Sequence, residues 1–150
     1  MESPKKIAVV NGPNLNWLGQ REPEIYGKTT LDQLEQSLKQ LGSGLGLVVD
    51  CFQSNSEGTL VDYLYQFKQQ GGQGIVINAA AFTHTSVALR DCLAGIELPA
   101  IEVHISNIYK RESFRKTSYT APICVGVITG LGTAGYRYAL EHLAEELRSQ

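Results

Sequence analysis

Apolar residues recur along the chain in two rhythms. Short runs at Lys6–Asn11, Leu47–Phe52, Gly74–Asn78, Ala100–His104 and Ile123–Ile128 read as strands. Between them, Leu31, Leu34, Leu38 and Leu41 recur at helical spacing and predict a helix over about 30–42. Thr30 and Gln33 supply a capping-box signal at its start. Gly42, Gly44 and Gly46 are expected to break the chain after it. Leu60, Val61, Leu64 and Phe67 predict a second helix over about 57–70. A third is expected over about 85–94, after His84, with Thr83 or Thr85 as its cap. Tyr136, Leu140, Leu143 and Leu147 mark a last helix over about 133–148.

Apolar strands alternating with helices imply a parallel sheet covered on both faces. Five strands with right-handed crossovers favour a single α/β domain over residues 1–150. The expected topology is a flavodoxin-like, doubly wound sheet of order 2-1-3-4-5. Ligands of such sheets bind beyond the carboxyl ends of the strands, where the order reverses. Asn11 and Asn14 follow the first strand, Asn78 and His84 the third, His104 and Ser106 the fourth. The segment from Asn11 to Tyr26 is longer than the usual strand-to-helix connection of about 2–6 residues, as expected of a lid or binding loop. No helix is expected before about Thr29 or Thr30. The loop carries Arg21 and Tyr26, and a cation near a phenol favours the phenolate, a base that needs no metal.

Charge narrows the ligand class. The formal net charge of −2 gives no footprint for nucleic acid or an anionic membrane. Lys110, Arg111, Arg115 and Lys116 nevertheless cluster against Glu112 alone, which suits a small anion. Cys51, Cys92 and Cys124 are odd in number and lack a C-x-x-C pair, so reduced thiols in or near the core of a cytoplasmic protein are expected. The first residues show no signal-peptide pattern, and no apolar stretch reaches membrane-span length.

Several constellations carry chemistry, each beside a plainer reading. Glu102 and His104, two apart on one strand, point to the same face. They fit an imidazole oriented by a carboxylate, and equally a structural polar pair near a strand end. His84, at an expected helix start, fits either an anion site or a capping loop. The histidines lack metal-ligand spacing, and His142 among glutamates reads as solvated. Gly130, Gly132 and Gly135 form G-x-G-x-x-G, but the chain ends before the strand and acid that a dinucleotide site needs; tight turning and close packing explain them better. No lysine falls inside an apolar strand, which disfavours Schiff-base chemistry. A flavin carrier would need a phosphate loop running straight from the first strand into a helix, and a phosphoacceptor domain an acidic cluster at the strand ends. Neither is present in the sequence. A non-enzymatic oligomeric scaffold would show no turnover.

Four motifs then appear in order: N-G-P-N-L-N-x-L-G-x-R-E-P-x-x-Y-G, I-N-A-A-A-F-T-H-T-S-V-A-L-R-D, I-E-V-H-I-S-N-I and R-E-x-F-R-x-x-S-Y. Over roughly residues 5–148 the chain closely resembles the type II 3-dehydroquinate dehydratases. The resemblance implies a cofactor-free, metal-free anti elimination of water from 3-dehydroquinate, in a cytoplasmic homododecamer built from trimers. It implies that Tyr26 is the base at C2, Arg21 the cation that holds it as phenolate, and His104, backed by Glu102, the acid at the departing C1 hydroxyl. Asn14 would hold the water that stabilises the enolate. Asn78, His84, Arg115 and the backbone amides of Ile105 and Ser106 would bind the carboxylate and ring hydroxyls, while Asp91 would reach a neighbouring subunit's site. Two departures stand out: Trp17 replaces a smaller aliphatic residue, and Ala79-Ala80 follows Asn78 where the family often has Pro-Gly.

Overall fold

A computed structural model describes residues 3–150. Its five strands are β1 (Lys5–Asn11), β2 (Leu47–Gln53), β3 (Gly74–Asn78), β4 (Ala100–His104) and β5 (Gly126–Thr129). They form one parallel sheet of order β2-β1-β3-β4-β5, the topology expected. The five α-helices are α1 (Pro23–Tyr26), α2 (Leu31–Gly44), α3 (Glu57–Gln69), α4 (Val87–Ile96) and α5 (Ala134–Arg148).

The twofold rhythm of each strand feeds two cores. Ile7, Val9, Val76 and Val103 pack on one face with Leu34 and Leu38 of α2 and Leu140, Leu143 and Leu147 of α5. Ala8, Val10, Ile75 and Ile77 pack on the other with Leu60, Leu64 and Phe67 of α3 and Leu89 and Leu93 of α4. Burying both faces of the sheet is what makes the middle of its central strands β1 and β3 apolar on both sides.

Local departures from the expected elements have identifiable causes. The glycines after the first helix do not all break it. Gly42 and Gly44 lie inside α2, and a Cβ on Gly42 would meet Val49 Cγ2 at 2.4 Å, so this glycine permits close helix–sheet packing. The turn is made later by Gly46, at φ +77°. Helix α4 is capped by Ser86, whose Oγ accepts from Leu89 N at 2.9 Å, rather than by Thr83 or Thr85. Those two fall in and after a 3-10 turn over Ala80–His84. Strand β5 begins at Gly126, because the N–H groups of Ile123 and Cys124 hydrogen-bond back into a 3-10 turn. The loop after β1 is also more ordered than expected. It contains a 3-10 turn at Leu15–Trp17 and the single helical turn α1, with Pro23 at its start.

Cys51, Cys92 and Cys124 are free and partly buried, and burial pushes the Cys51 and Cys124 thiols up to about 12. Among the described residues no helix is long and apolar enough to cross a membrane.

The Ala79-Ala80 departure leaves a conformational trace. Ala80 sits at φ +52°, in the left-handed region that penalises a Cβ. Replacing Ala80 with glycine removes a penalty of about 1–2 kcal/mol and adds chain entropy worth about 0.5–1 kcal/mol to the unfolded state. Ala80→Gly is therefore expected to stabilise the fold by about 0.5–1 kcal/mol, measured as a higher urea midpoint at unchanged slope.

Candidate active site

The carboxyl ends of β1, β3 and β4 open into a cavity of about 210 Å³. Its size suits one small ring better than a dinucleotide. Asn14, Arg21, Tyr26, Asn78, His84, His104, Ile105, Ser106 and Arg115 all line it, so residues spread over a hundred positions of sequence converge on one space. Glu102 lies behind His104 rather than on the wall. Asp91 lies elsewhere, in a separate groove between α3 and α4 with Asp62, Tyr65 and Cys92.

The acid–imidazole pair is the most deeply set feature. His104 Nε2 is 2.8 Å from Glu102 Oε2, and their side chains are 5% and 1% exposed. A carboxylate can only accept, so Nε2 carries the hydrogen and Nδ1 is the ring position left for chemistry. Ser118 Oγ donates to Glu102 Oε1 at 2.9 Å, and Thr120 Oγ1 donates to the same oxygen. Burial pushes the Glu102 carboxyl up, yet the hydrogen bonds from His104, Thr120 and Ser118 outweigh it and hold the group below the ordinary carboxylate value. Glu102 is thus a buried anion, and an imidazolium at His104 would be its natural complement.

His84 faces the same cavity, its ring centroid 6.3 Å from that of His104. Its Nδ1 lies 2.8 Å from the Thr117 carbonyl oxygen, which fixes the hydrogen on Nδ1. Burial pushes its pKa down, and the neighbouring His104 and Arg115 add to this against the opposing Thr117 carbonyl. In the neutral ring Nε2 is then an acceptor, suited to a ligand hydroxyl.

Tyr26 ends α1, and Gly27 at φ +82° turns the chain away immediately after it. The cation on its phenol is Arg111, a residue the sequence reading grouped only with a basic cluster. Arg111 Nη1 donates to Tyr26 Oη at 2.8 Å and to Ser106 Oγ at 3.2 Å. Its guanidinium also lies 5.5 Å from the Tyr26 ring centroid. Arg21 lines the cavity, but its Nη2 is 3.4 Å from Glu22 Oε2 and its side chain is half exposed. The signal for Arg111 in the sequence is the basic cluster it belongs to; Arg21 is five residues from Tyr26 along the chain but makes its ion pair with Glu22.

Arg115 forms a two-pronged contact with Glu112, Nε to Oε1 at 3.1 Å and Nη2 to Oε2 at 3.2 Å. Those hydrogen bonds hold Glu112 at about 2. Three guanidinium groups around one cavity favour an anionic ligand. Asn14 takes φ +71°, a conformation asparagine tolerates better than most residues, and its N–H is held by Asn55 Oδ1 at 2.9 Å.

The glycine motif after β5 does not cradle phosphate. Gly130 N donates to His104 O at 3.1 Å and Gly132 N to Ile105 O at 3.0 Å. Those amides are spent on fixing the β4 end of the site. Among the described residues no group of three or more His, Cys, Asp or Glu is arranged to hold a metal ion.

Comparison with known proteins gives the family and the fold. The model of the family described as Dehydroquinase class II matches residues 5–144. A 3-dehydroquinate dehydratase of Bordetella avium is 55% identical over 142 residues, covering 92% of this chain and 99% of that protein. The 3-dehydroquinate dehydratase 2 of Pseudomonas aeruginosa is 50% identical over 145 residues, covering 97% of each. The crystal structure of a type II dehydroquinase from Propionibacterium acnes superposes with a TM-score of 0.91 at 44% identity, covering 97% of this chain and 99% of that one.

The depressed Glu102 carboxyl has a consequence for stability. Its contribution is fully present above the ordinary carboxylate value of about 4.3 and is lost as pH falls through the lower folded value. Glu102→Gln is expected to flatten the acid-side fall in urea midpoint between about pH 5 and pH 2. An unchanged slope would assign the buried charge to another group.

Proposed function

This chain belongs to the class II dehydroquinase family, and from that premise we propose how its residues carry the dehydration of 3-dehydroquinate. Membership gives the reaction: loss of water from a β-hydroxy ketone. Such a compound eliminates readily once its α-proton is removed, so a base, a donor at the enolate oxygen and an acid are sufficient.

Tyr26 is the base at C2. The observation that carries this reading is the Arg111 guanidinium donating to its phenol oxygen, which holds that oxygen at the cavity wall beside a fixed positive charge. Arg21, on the same wall, adds positive potential when the loop closes over ligand. His104 is the acid at the departing C1 hydroxyl. With Nε2 engaged by Glu102, it delivers the proton from Nδ1 as an imidazolium that the buried carboxylate supports. Asn14 holds a water against the developing enolate. Asn78, Arg115 and the Ile105 and Ser106 amides bind the carboxylate, while neutral His84 accepts from a ring hydroxyl. Elimination is anti, with base and acid acting on opposite faces of the ring. Asp91, remote from its own cavity, completes the site of a neighbouring subunit in a dodecamer assembled from trimers.

Formation of the conjugated enone, followed by ultraviolet absorbance, measures the activity directly. Tyr26→Phe is expected to lower kcat by about 10²–10⁴-fold with substrate affinity largely kept; near-normal turnover would move the base elsewhere. Arg111→Ala and Arg21→Ala should both slow turnover, with the larger loss of kcat expected for Arg111→Ala, because Arg111 alone donates to the phenol oxygen. Activity that survives both chelator and borohydride would exclude metal and imine routes.

A further inference from the structure

Beneath the cavity runs a line of buried polar groups of which the mechanism above uses only the first. It consists of Asn78 at the end of β3, Tyr136 on α5 and Asn11 at the end of β1, which are 4%, 0% and 0% exposed. The polarity of the line is fixed from one end. The backbone N–H of Ala80 donates to Asn78 Oδ1 at 3.1 Å, and since an N–H only donates, the amide oxygen is assigned there. Asn78 Nδ2 must then face Tyr136 Oη, to which it donates at 2.8 Å. Having accepted that bond, the phenol sends its own hydrogen onward to Asn11 Oδ1, at 2.6 Å. Burial drives the Tyr136 phenol well above its ordinary value, against a smaller opposing effect of Asn78, so the phenol keeps this hydrogen at any working pH.

One hydrogen of Asn78 Nδ2 remains outside the relay, and Asn78 lines the cavity. The far end of the line is imperfect, because Asn11 Nδ2 is buried with no partner. An apolar trio would avoid that cost, so stability alone does not explain the arrangement. What the relay does supply is direction.

We propose that Tyr136 is a positioning residue, which clamps the Asn78 carboxamide so that the cavity meets an N–H donor and selects a ligand oxygen that accepts, a carboxylate or a carbonyl. The proposal rests on the reading of Asn78 as a ligand-binding residue. Without the phenol hydroxyl, one of the two anchors of the amide is gone and the group pivots about its bond to Ala80.

A double-mutant cycle on the intact oligomeric enzyme tests this, with kcat and KM for 3-dehydroquinate measured beside the melting temperature. Tyr136→Phe keeps the packed ring and is expected to lower kcat/KM about 10-fold, mostly through KM. Asn78→Ala should lower it at least as much. In the Asn78→Ala background, Tyr136→Phe should change kcat/KM less than about twofold, although its effect on melting persists. Asn78→Asp, which replaces the donor with an acceptor, should fall below Asn78→Ala. Losses that simply multiply in the double variant, an unchanged kcat/KM in Tyr136→Phe, or an Asn78→Asp enzyme better than Asn78→Ala would each overturn the relay while leaving Asn78 in the site. Parent activity in Asn78→Ala would overturn both readings together.

Discussion

Glu102 is an anion inside a sheet covered on both faces, and the site is organised around keeping it there. An unpaired carboxylate in that position would be prohibitively costly. It is sustained because His104, Ser118 and Thr120 all direct hydrogens at its two oxygens. Those donors come from two places: the next inward-facing residue of β4, and the segment that leads from the basic cluster toward β5. Satisfying one carboxylate therefore pins that segment over the ends of the strands, with Arg111 and Arg115 on it. The same constraint sets the imidazole's tautomer, since a carboxylate at Nε2 leaves Nδ1 for the ligand.

The second organising feature is that backbone groups set the polarity of side chains around the cavity. The Thr117 carbonyl places the hydrogen of His84 on Nδ1, and the Ala80 amide orients Asn78 and, through it, Tyr136 and Asn11. The turn amides of Gly130 and Gly132 hold the carbonyls of His104 and Ile105. A cavity built this way presents donors and acceptors in a fixed pattern before a ligand arrives, which is the condition for electrostatic stabilisation without reorganisation. The left-handed Ala80 belongs to the same economy of design: local strain is accepted at the turn whose N–H begins the relay.

Much of this was legible in the order of residues. Periods of two and of three to four separate strands from helices, because alternation on a pleat and recurrence on a helix bury different subsets of positions. Gly42 misled because a glycine in a helix interior looks the same in sequence whether it ends the helix or lets a neighbouring strand approach, and here Val49 decides. Strand β5 starts later than its apolar run because Ile123 and Cys124 give their N–H groups to a 3-10 turn, and apolarity looks the same whichever partner those groups take.

The alternation of strands and helices, the polar residues at the strand ends and a basic segment suited to an anion can all be read from the chain alone. These are properties of composition and period, carried by residues near one another in the chain. Which groups meet is settled in three dimensions. Tyr26 and Arg111 are 85 residues apart and Asn11 and Tyr136 are 125, and each pair is joined by one hydrogen bond. No local spacing encodes such contacts, because they exist only once parallel crossovers have brought the carboxyl ends of separate strands to the same edge of the sheet.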